Sequence, residues 1–127
     1  MVPHTNPELA AIANLAGEQA RRPVKAGEVI FRSGDPGEKL YGVMSGEIRL
    51  SWEGERHETF GAGTCFGVGA LVDPEHRRFG TATATVDGEL VEMNREQFLF
   101  ALQELPMFAL EMLHDLECRL RDLKHAD

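Results

Sequence analysis

Few side chains in this sequence have the types and spacing that catalysis or metal binding requires. Cys65 and Cys118 are too few for an iron–sulfur cluster held by four cysteines, and they do not form a Cys-x-x-Cys pair. His57 and His76 lack the paired His-x-His spacing of metal sites on β folds, so we expect no metal. There is no Gly-x-Ser-x-Gly elbow, P-loop lysine or His-Glu-x-x-His motif. The inventory favours a domain that is not an enzyme.

The charge of the chain argues against a nucleic-acid partner. The net charge is −8, and the basic doublets Arg21-Arg22 and Arg77-Arg78 are separated by a long mixed stretch. A protein that neutralises nucleic-acid phosphates usually presents a basic patch, so we expect no direct DNA binding. The apolar runs are too short to cross a bilayer and no secretory signal precedes them, so we expect no membrane partner and a cytoplasmic location.

The length and the texture of the sequence predict one domain with three segments. A chain of 127 residues with 43% hydrophobic residues can bury one core. Residues 1–22 are expected to form an N-terminal helical segment, with Asn6-Pro7 as its start and Gly17 as its stop. Residues 23–93 are expected to form the β part, and residues 94–127 the C-terminal helices.

Short alternating runs between glycines characterise the middle segment. Residues 48, 50 and 52 are apolar and face one way on the predicted strand, while Ala82, Ala84 and Val86 alternate with threonines. Ser33-Gly34-Asp35-Pro36-Gly37 has turn chemistry. Period-two patterning with regular turns predicts a small antiparallel barrel, roll or sandwich. On this pattern Trp52 is a structural residue that completes a strand face.

Helical periodicity returns in the last segment. Asn94 and Gln97 have the spacing of a capping box, and Pro106 separates this helix from a longer one that runs to about Leu123. The longer helix carries apolar residues at spacings of four, three, four and three, which is an a/d heptad seam. The seam predicts a homodimer interface or, alternatively, packing on the chain's own β part. Its residues are Ala109, Leu113, Leu116, Leu120 and Leu123.

The order of these segments and several motifs resemble the cyclic-nucleotide-binding domain of catabolite-activator and FNR-type regulators. The resemblance is carried by the runs Gly27–Tyr41, Val43–Leu50 and Gly61–Phe98. It implies a mainly β fold, in which an antiparallel β-roll or jelly roll is flanked by an N-terminal helix and a long C-terminal helix. It covers roughly residues 23–123, nearly the whole chain.

The same resemblance implies a phosphate-binding cassette between Phe66 and Thr81. In such a cassette a Phe-Gly pair opens a short helix whose N–H groups, with a later arginine, hold a cyclic phosphate. Helix N-termini suit anions, and arginine matches phosphate oxygens with a planar charged fork. The implied ligand is a cyclic nucleotide (cAMP or cGMP) or a related small anion, and no obligatory cofactor is expected. The implied ligand-binding residues are Phe66, Gly67, Val68, Gly69, Ala70, Leu71, Arg78, Phe79 and Thr81.

The cassette departs from the family pattern at several positions. Val68 occupies the place of the glutamate that holds the ribose hydroxyl, and Gly69 and Arg77 also differ. Without that hydrogen bond to a charged group, a ribose-bearing ligand would bind about 10- to 150-fold more weakly. Val68 is therefore expected to be a packing residue, with Glu75 as an alternative acid. Phe79 is expected to be either a pocket wall or part of the core.

The roles of three further residues are expected as follows, and only that of Arg78 has two alternatives. Arg78 is either the phosphate arginine or a surface arginine, whereas Arg77 is expected to be solvated. Cys65 is expected to be a small buried hydrophobic residue before the cassette.

The sequence thus supports a stand-alone sensor of a small anionic ligand that signals through its last helix. No helix-turn-helix follows that helix. A degenerate, ligand-free interaction or dimerisation module of the same fold is the alternative, and a piece of a longer transcription regulator is a third reading.

Overall fold

The computed structural model describes residues 20–125, which form eight strands and three helices. The predicted helix between Asn6 and Gly17 lies outside the described residues. The strands are β1 (Arg21–Val24), β2 (Val29–Phe31), β3 (Lys39–Ser45), β4 (Glu47–Trp52), β5 (Arg56–Gly61), β6 (Cys65–Phe66), β7 (Thr81–Ala84) and β8 (Gly88–Asn94). The helices are α1 (Gly69–Val72), α2 (Arg95–Glu104) and α3 (Pro106–His125).

The strands form two four-stranded sheets that confirm the mainly antiparallel β-roll. One sheet has the order β1-β8-β3-β6, and the other has the order β2-β7-β4-β5. Alternating residues from both sheets point inward, so that Val43 and Leu90 of the first meet Ile48, Phe60 and others of the second in one buried cluster. This cluster is the core of the roll.

A second apolar cluster lies between the first sheet and the helices. Leu40 and Met93 contribute from the sheet, Phe98 from α2, and Phe108 and Met112 from α3. The two helices approach through the edge-to-face rings of Phe98 and Phe108, whose centroids lie 6.3 Å apart. The packing places one face of α3 against the part of the roll that carries the cassette.

The start of α2 follows the predicted capping box. The Asn94 Oδ1 accepts a hydrogen bond from the Gln97 backbone N–H at 2.8 Å, and Gln97 Oε1 accepts one from the Asn94 N–H at 2.9 Å. Both bonds satisfy donors at the helix N-terminus. Leu105 then ends α2, and Pro106 begins α3, as the proline predicted.

Three predicted boundaries differ from the structure. Strand β1 begins at Arg21, inside the segment that was expected to be helical, because Arg21 and Arg22 pair with β8. Strand β7 ends at Ala84, so Val86 leaves the alternation and is 47% exposed. Helix α3 continues two residues past Leu123, to His125. Within residues 20–125, no helix is long and apolar enough to span a membrane.

Candidate ligand site

The cassette begins where β6 gives way to a single turn of helix. Phe66 is fully buried and stacks on Tyr41 of β3, with ring centroids 5.1 Å apart. Gly67 then has a φ of +90°, in the region that L side chains rarely adopt. A Cβ on Gly67 would also lie 3.0 Å from Arg78 Nη1. Glycine at this position therefore brings the backbone close to the arginine.

Arg78 is the one charged residue among the described residues whose side chain is almost completely buried, with 5% exposure. Its Nη1 donates to the Gly67 carbonyl at 2.8 Å, and its Nη2 donates to the Lys39 carbonyl at 2.7 Å. The guanidinium carbon lies 4.2 Å from the centre of the Phe31 ring. The alternative prediction that Arg78 is a surface arginine is therefore wrong, because its side chain lies beneath the cassette.

The charge of Arg78 has no matching carboxylate. In the described part of the chain no acidic group forms an ion pair with it, and its buried Nε has no hydrogen-bond partner. Burial lowers the pKa of Arg78, while the Tyr41 hydroxyl and the Asp35 carboxylate oppose this shift. A buried charge without a counter-ion is unfavourable, so the site is arranged to gain from an anion.

The turn between β2 and β3 closes over this arginine. Gly34 N–H donates to the Arg78 carbonyl at 2.9 Å, Arg78 N–H donates to the Asp35 carbonyl at 2.8 Å, and Gly37 N–H donates to the His76 carbonyl at 2.8 Å. A Cβ on Gly37 would overlap the Arg78 Nε and Cζ atoms. The predicted turn chemistry therefore has a second role, since it holds the arginine segment in place.

A narrow cleft lies beside the cassette, between the roll and α3, and it has space for about one water molecule. Phe66 and Val68, which flank Gly67, form its cassette wall, and Asp115 and Arg119 of α3 contribute its polar groups. The remaining lining is apolar and consists of Leu40, Cys65, Met112 and Leu116. The cleft thus borders the cassette at Phe66 and Val68 and lies against the long helix, whereas Arg78 is not part of its lining.

A bidentate ion pair spans the gap between α3 and the roll. Arg119 Nε lies 2.6 Å from Glu58 Oε2, and Arg119 Nη2 lies 3.0 Å from Glu58 Oε1. The same guanidinium lies 4.7 Å from the centre of the Phe60 ring. Burial raises the pKa of Asp115; nearby Glu58 adds to the rise, while Arg119 and His114 oppose it. In the described structure this is the ion pair that joins α3 to a sheet.

The site is that of a known domain. A family model described as the cyclic nucleotide-binding domain matches residues 21–104. The chain belongs to this family. The cyclic nucleotide-binding domain accounts for both sheets, the cassette and α2, and it is a regulatory binding domain of the catabolite-activator type.

Individual relatives agree with the family. The cyclic AMP receptor protein of Thermus thermophilus is 37% identical over 107 residues, which are 80% of this chain and 49% of that protein. The Thermus thermophilus catabolite activator protein superposes with a TM-score of 0.74 at 33% identity, over 92% of this chain and 55% of that one. The chain therefore spans about half the length of these two relatives.

A third similarity covers both chains almost completely. The solved structure described as "A cyclic-GMP-dependent signalling pathway regulates bacterial phytopathogenesis" superposes with a TM-score of 0.79 at 27% identity. The similarity extends over 96% of this chain and 98% of that one. It shows that the same architecture makes up nearly the whole of another solved chain.

The structure separates the predicted cassette residues into two groups. Phe66, Ala70 and Leu71 are buried, and Thr81 accepts a hydrogen bond from the Ser33 N–H at 3.1 Å. Phe79 instead is 66% exposed, so its expectation as a core residue is wrong. The backbone turn at Gly80, whose φ is +86°, leaves Phe79 on the outside against Trp52, with ring centroids 5.8 Å apart.

Other residue-level predictions are also resolved. Cys65 is buried as expected, and Val68 packs against the cluster below the helices. Arg77 is exposed, and its Nη1 donates to the Gly34 carbonyl at 3.0 Å. Glu75 is exposed. A Cβ at position 69 would have no other atom within 4 Å, so a larger residue than Gly69 would fit there.

The heptad seam does not pack on the chain's own roll, which was the alternative to a dimer interface. Leu113, Leu120 and Leu123 are 63%, 46% and 42% exposed, because Phe108 and Met112 form the buried face of α3 instead. Leu116 lies at the border, where it also lines the cleft. The seam is therefore an uncovered apolar stripe along the described helix.

Sequence reasoning missed Gly37, Glu58, Asp115 and Arg119 as residues of the site. They come from three separate segments, since Asp115 and Arg119 share α3, and no motif links the segments. The spacing of Asp115 and Arg119, four residues apart on a helix, was the one available signal.

Proposed function

We propose that this domain is a sensor that binds a cyclic nucleotide, or a similar small anion, with its phosphate at Arg78. The β-roll holds the ligand without catalysing a reaction, and α3 transmits the signal. The bound ligand would contact the cassette residues Phe66, Gly67, Val68, Gly69, Ala70, Leu71, Arg78, Phe79 and Thr81. We further propose that the domain acts as a homodimer through the seam on α3 and performs no catalysis.

The observation that carries the proposal is the buried charge of Arg78, which forms no ion pair with a described residue. Nε has no partner and no described carboxylate neutralises the guanidinium, whereas a phosphate would supply both a counter-charge and acceptors. A phosphate would place negative oxygens opposite the positive guanidinium and can accept from it in a bidentate pair, which two separate neutral carbonyls do not provide.

The signal would pass through the wall that the cleft shares with α3. The cleft is too narrow for a nucleotide, so a ligand that extends from the cassette past Val68 toward Asp115 would have to move α3. It can shift α3 only if it binds one position of that helix better than another. Because the leucine seam lies on the same helix, such a shift would change the dimer or a partner surface.

Calorimetric titration with cAMP and cGMP tests the sensor. Arg78→Ala is expected to weaken binding by about 100-fold or more, since it removes a charged hydrogen-bonding group from a buried site. Arg77→Ala is the matched control and should bind normally, because Arg77 is exposed. Arg78→Lys retains a charge at the buried position and separates loss of the guanidinium fork from loss of folding. Equal binding by wild type and both Arg78 variants would contradict the proposal.

One observation favours a second candidate, a ligand-free interaction module of the same fold. Both terminal nitrogens of Arg78 already donate to backbone carbonyls, and Val68 stands where the ribose acid is expected. In this case Arg78 would serve only to hold the cassette together. Absence of binding heat with either nucleotide, together with a thermal unfolding transition lowered by Arg78→Ala, would support this module instead.

A further inference from the structure

We propose that His114 and Cys118 of α3 form a two-ligand site for a transition-metal cation such as Zn²⁺. The inference is independent of the proposed nucleotide site and of the dimer seam. It departs from the expectation of no metal, which considered only His57 and His76. It assigns a ligand to two side chains that the proposed sensor does not use.

The two side chains have the separation that a shared metal ion requires. His114 Nε2 and Cys118 Sγ lie 3.6 Å apart, and their spacing of four residues puts them on one face of the helix. Zinc bonds of about 2.3 Å to sulfur and about 2.0–2.1 Å to nitrogen, at a tetrahedral angle, hold these two ligand atoms about 3.5–3.6 Å apart. A zinc ion can therefore join Nε2 and Sγ without a change in the backbone of α3.

Both side chains are accessible to a cation from solvent. His114 and Cys118 are exposed, and Cys118 is a free thiol. Within the described residues, no group of three or more Cys, His, Asp or Glu side chains has metal-binding geometry. The protein therefore supplies two ligands and water fills the remaining positions, which makes this an open site and not a closed structural one.

The charge around the pair attracts a cation. Glu111 precedes the pair by three residues and Asp122 follows it by four, so both lie on the same face of α3. Neither carboxylate forms an ion pair within the described part of the chain, whereas Arg121 on that face is paired with Glu117 at 3.1 Å. Negative surroundings disfavour a free thiolate but favour one that a cation neutralises, so metal binding suits the pair better than thiol reactivity does.

The ligand types decide which cations fit. A thiolate and an imidazole select Zn²⁺ and similar transition metals, whereas Mg²⁺ and Ca²⁺ require oxygen ligands. On binding, the Cys118 thiol loses its proton to solvent and forms a metal–sulfur bond, and no electron is transferred. A metal that joins two side chains one turn apart would stabilise the second half of α3.

Titration of the whole chain with Co²⁺, a spectroscopic substitute for Zn²⁺, tests the site with the thiols kept reduced. We expect a thiolate-to-cobalt charge-transfer band in the near ultraviolet, which added Zn²⁺ should remove by competition. Cys118→Ser should abolish the band, and His114→Ala should weaken Co²⁺ binding by at least about tenfold, because one of two ligands is lost. His57→Ala is the control, since His57 is exposed on β5 and should leave binding unchanged.

These outcomes do not depend on the nucleotide titrations. A wild type without the band would overturn the assignment, and so would a band that persists in Cys118→Ser, since its sulfur ligand would then be Cys65. Displacement of Co²⁺ by an equal concentration of Mg²⁺ would overturn it as well, because the acidic face alone would then bind the cation. Circular dichroism separates loss of the site from loss of folding, because substitutions at these exposed positions should leave the helix content unchanged.

Discussion

The position of the Arg78 segment depends on the absence of a Cβ atom at Gly37. Its neighbours are Arg78 and Ala70, whose Cβ would lie 2.8 Å from a Cβ at position 37. A larger residue must therefore push the arginine segment away from the turn. This is a requirement for space and not for a special backbone angle.

We expect Gly37→Ala to lower the free energy of unfolding by about 1–3 kcal/mol, the range for overpacking a filled site. It should also weaken cyclic nucleotide binding, because Arg78 moves. Urea unfolding and calorimetry measure the two effects. Gly69→Ala is the control and should change stability little, since nothing lies within 4 Å of that position. Equal effects of both substitutions would contradict the role of Gly37.

Asp115 is expected to make stability depend on pH. Its pKa is raised in the folded state, so the folded protein binds its proton more tightly than the unfolded chain does. The stability that this proton contributes is present below the unfolded pKa of about 3.9 and is lost as the pH rises through the folded pKa. Above the folded pKa, the partly buried carboxylate is less favourable in the folded protein than in the unfolded chain.

Asp115→Asn removes this titration. The free energy of unfolding of the variant, relative to wild type, should therefore increase as the pH rises from about 3.9 through the folded pKa. Urea unfolding across that pH range measures it, with Asp122→Asn as the reference for an exposed carboxylate. A difference between variant and wild type that stays constant over the range would contradict the burial of the Asp115 charge.

Among the helices and strands, α3 is unusual because it presents apolar residues on two faces. Phe108 and Met112 bury one face against the first sheet, whereas the seam leaves Leu113 and Leu120 open. Leucines repeated at a/d spacing pair best with a second copy of the same seam. The helix is therefore expected to serve the roll and a partner subunit at the same time.

We expect light scattering with size-exclusion chromatography to show twice the chain mass of 14.1 kDa. The double substitution Leu113→Glu and Leu120→Glu should shift the protein to the monomer mass, because charges in the seam repel each other across the dimer axis. Leu99→Glu, at an exposed leucine on α2, should leave the mass unchanged. A wild-type monomer at micromolar concentration would refute the dimer.

At the scale of the whole molecule, the proposed sensor would depend on how firmly α3 is held to the roll. Apolar packing holds its first half, and the Glu58–Arg119 pair holds the second half beside the cleft. A half-buried bidentate pair is stronger than a surface pair because solvent screens it less. The pair therefore sets the position from which a ligand would move the helix.

Hydrogen–deuterium exchange of Arg119→Ala tests this attachment. We expect amides in the second half of α3 to exchange at least about tenfold faster, as loss of a charged hydrogen-bonded pair allows, while the sheets stay protected. Arg121→Ala is the control, because Arg121 pairs with Glu117 within the helix. Unchanged exchange in Arg119→Ala would show that apolar packing alone holds α3.

The local signals in the sequence determined most of the fold. Alternation and turn residues indicated the roll, the Asn94–Gln97 spacing indicated the start of α2, and Pro106 indicated the break before α3. Such signals depend on residues close in sequence, where backbone geometry converts spacing directly into position. The likeness of the Phe66–Thr81 run to a known cassette also predicted where a phosphate would bind.

Only the tertiary structure decided which side chains share an environment. Arg77 and Arg78 are adjacent in the sequence, yet one is exposed and the other is buried without a carboxylate. Phe79 left the core because the next residue turns the chain outward. Glu58 and Arg119 are 61 positions apart and meet because a helix packs across a sheet. Burial and long-range pairing depend on where distant segments come together, and no spacing within one segment records that.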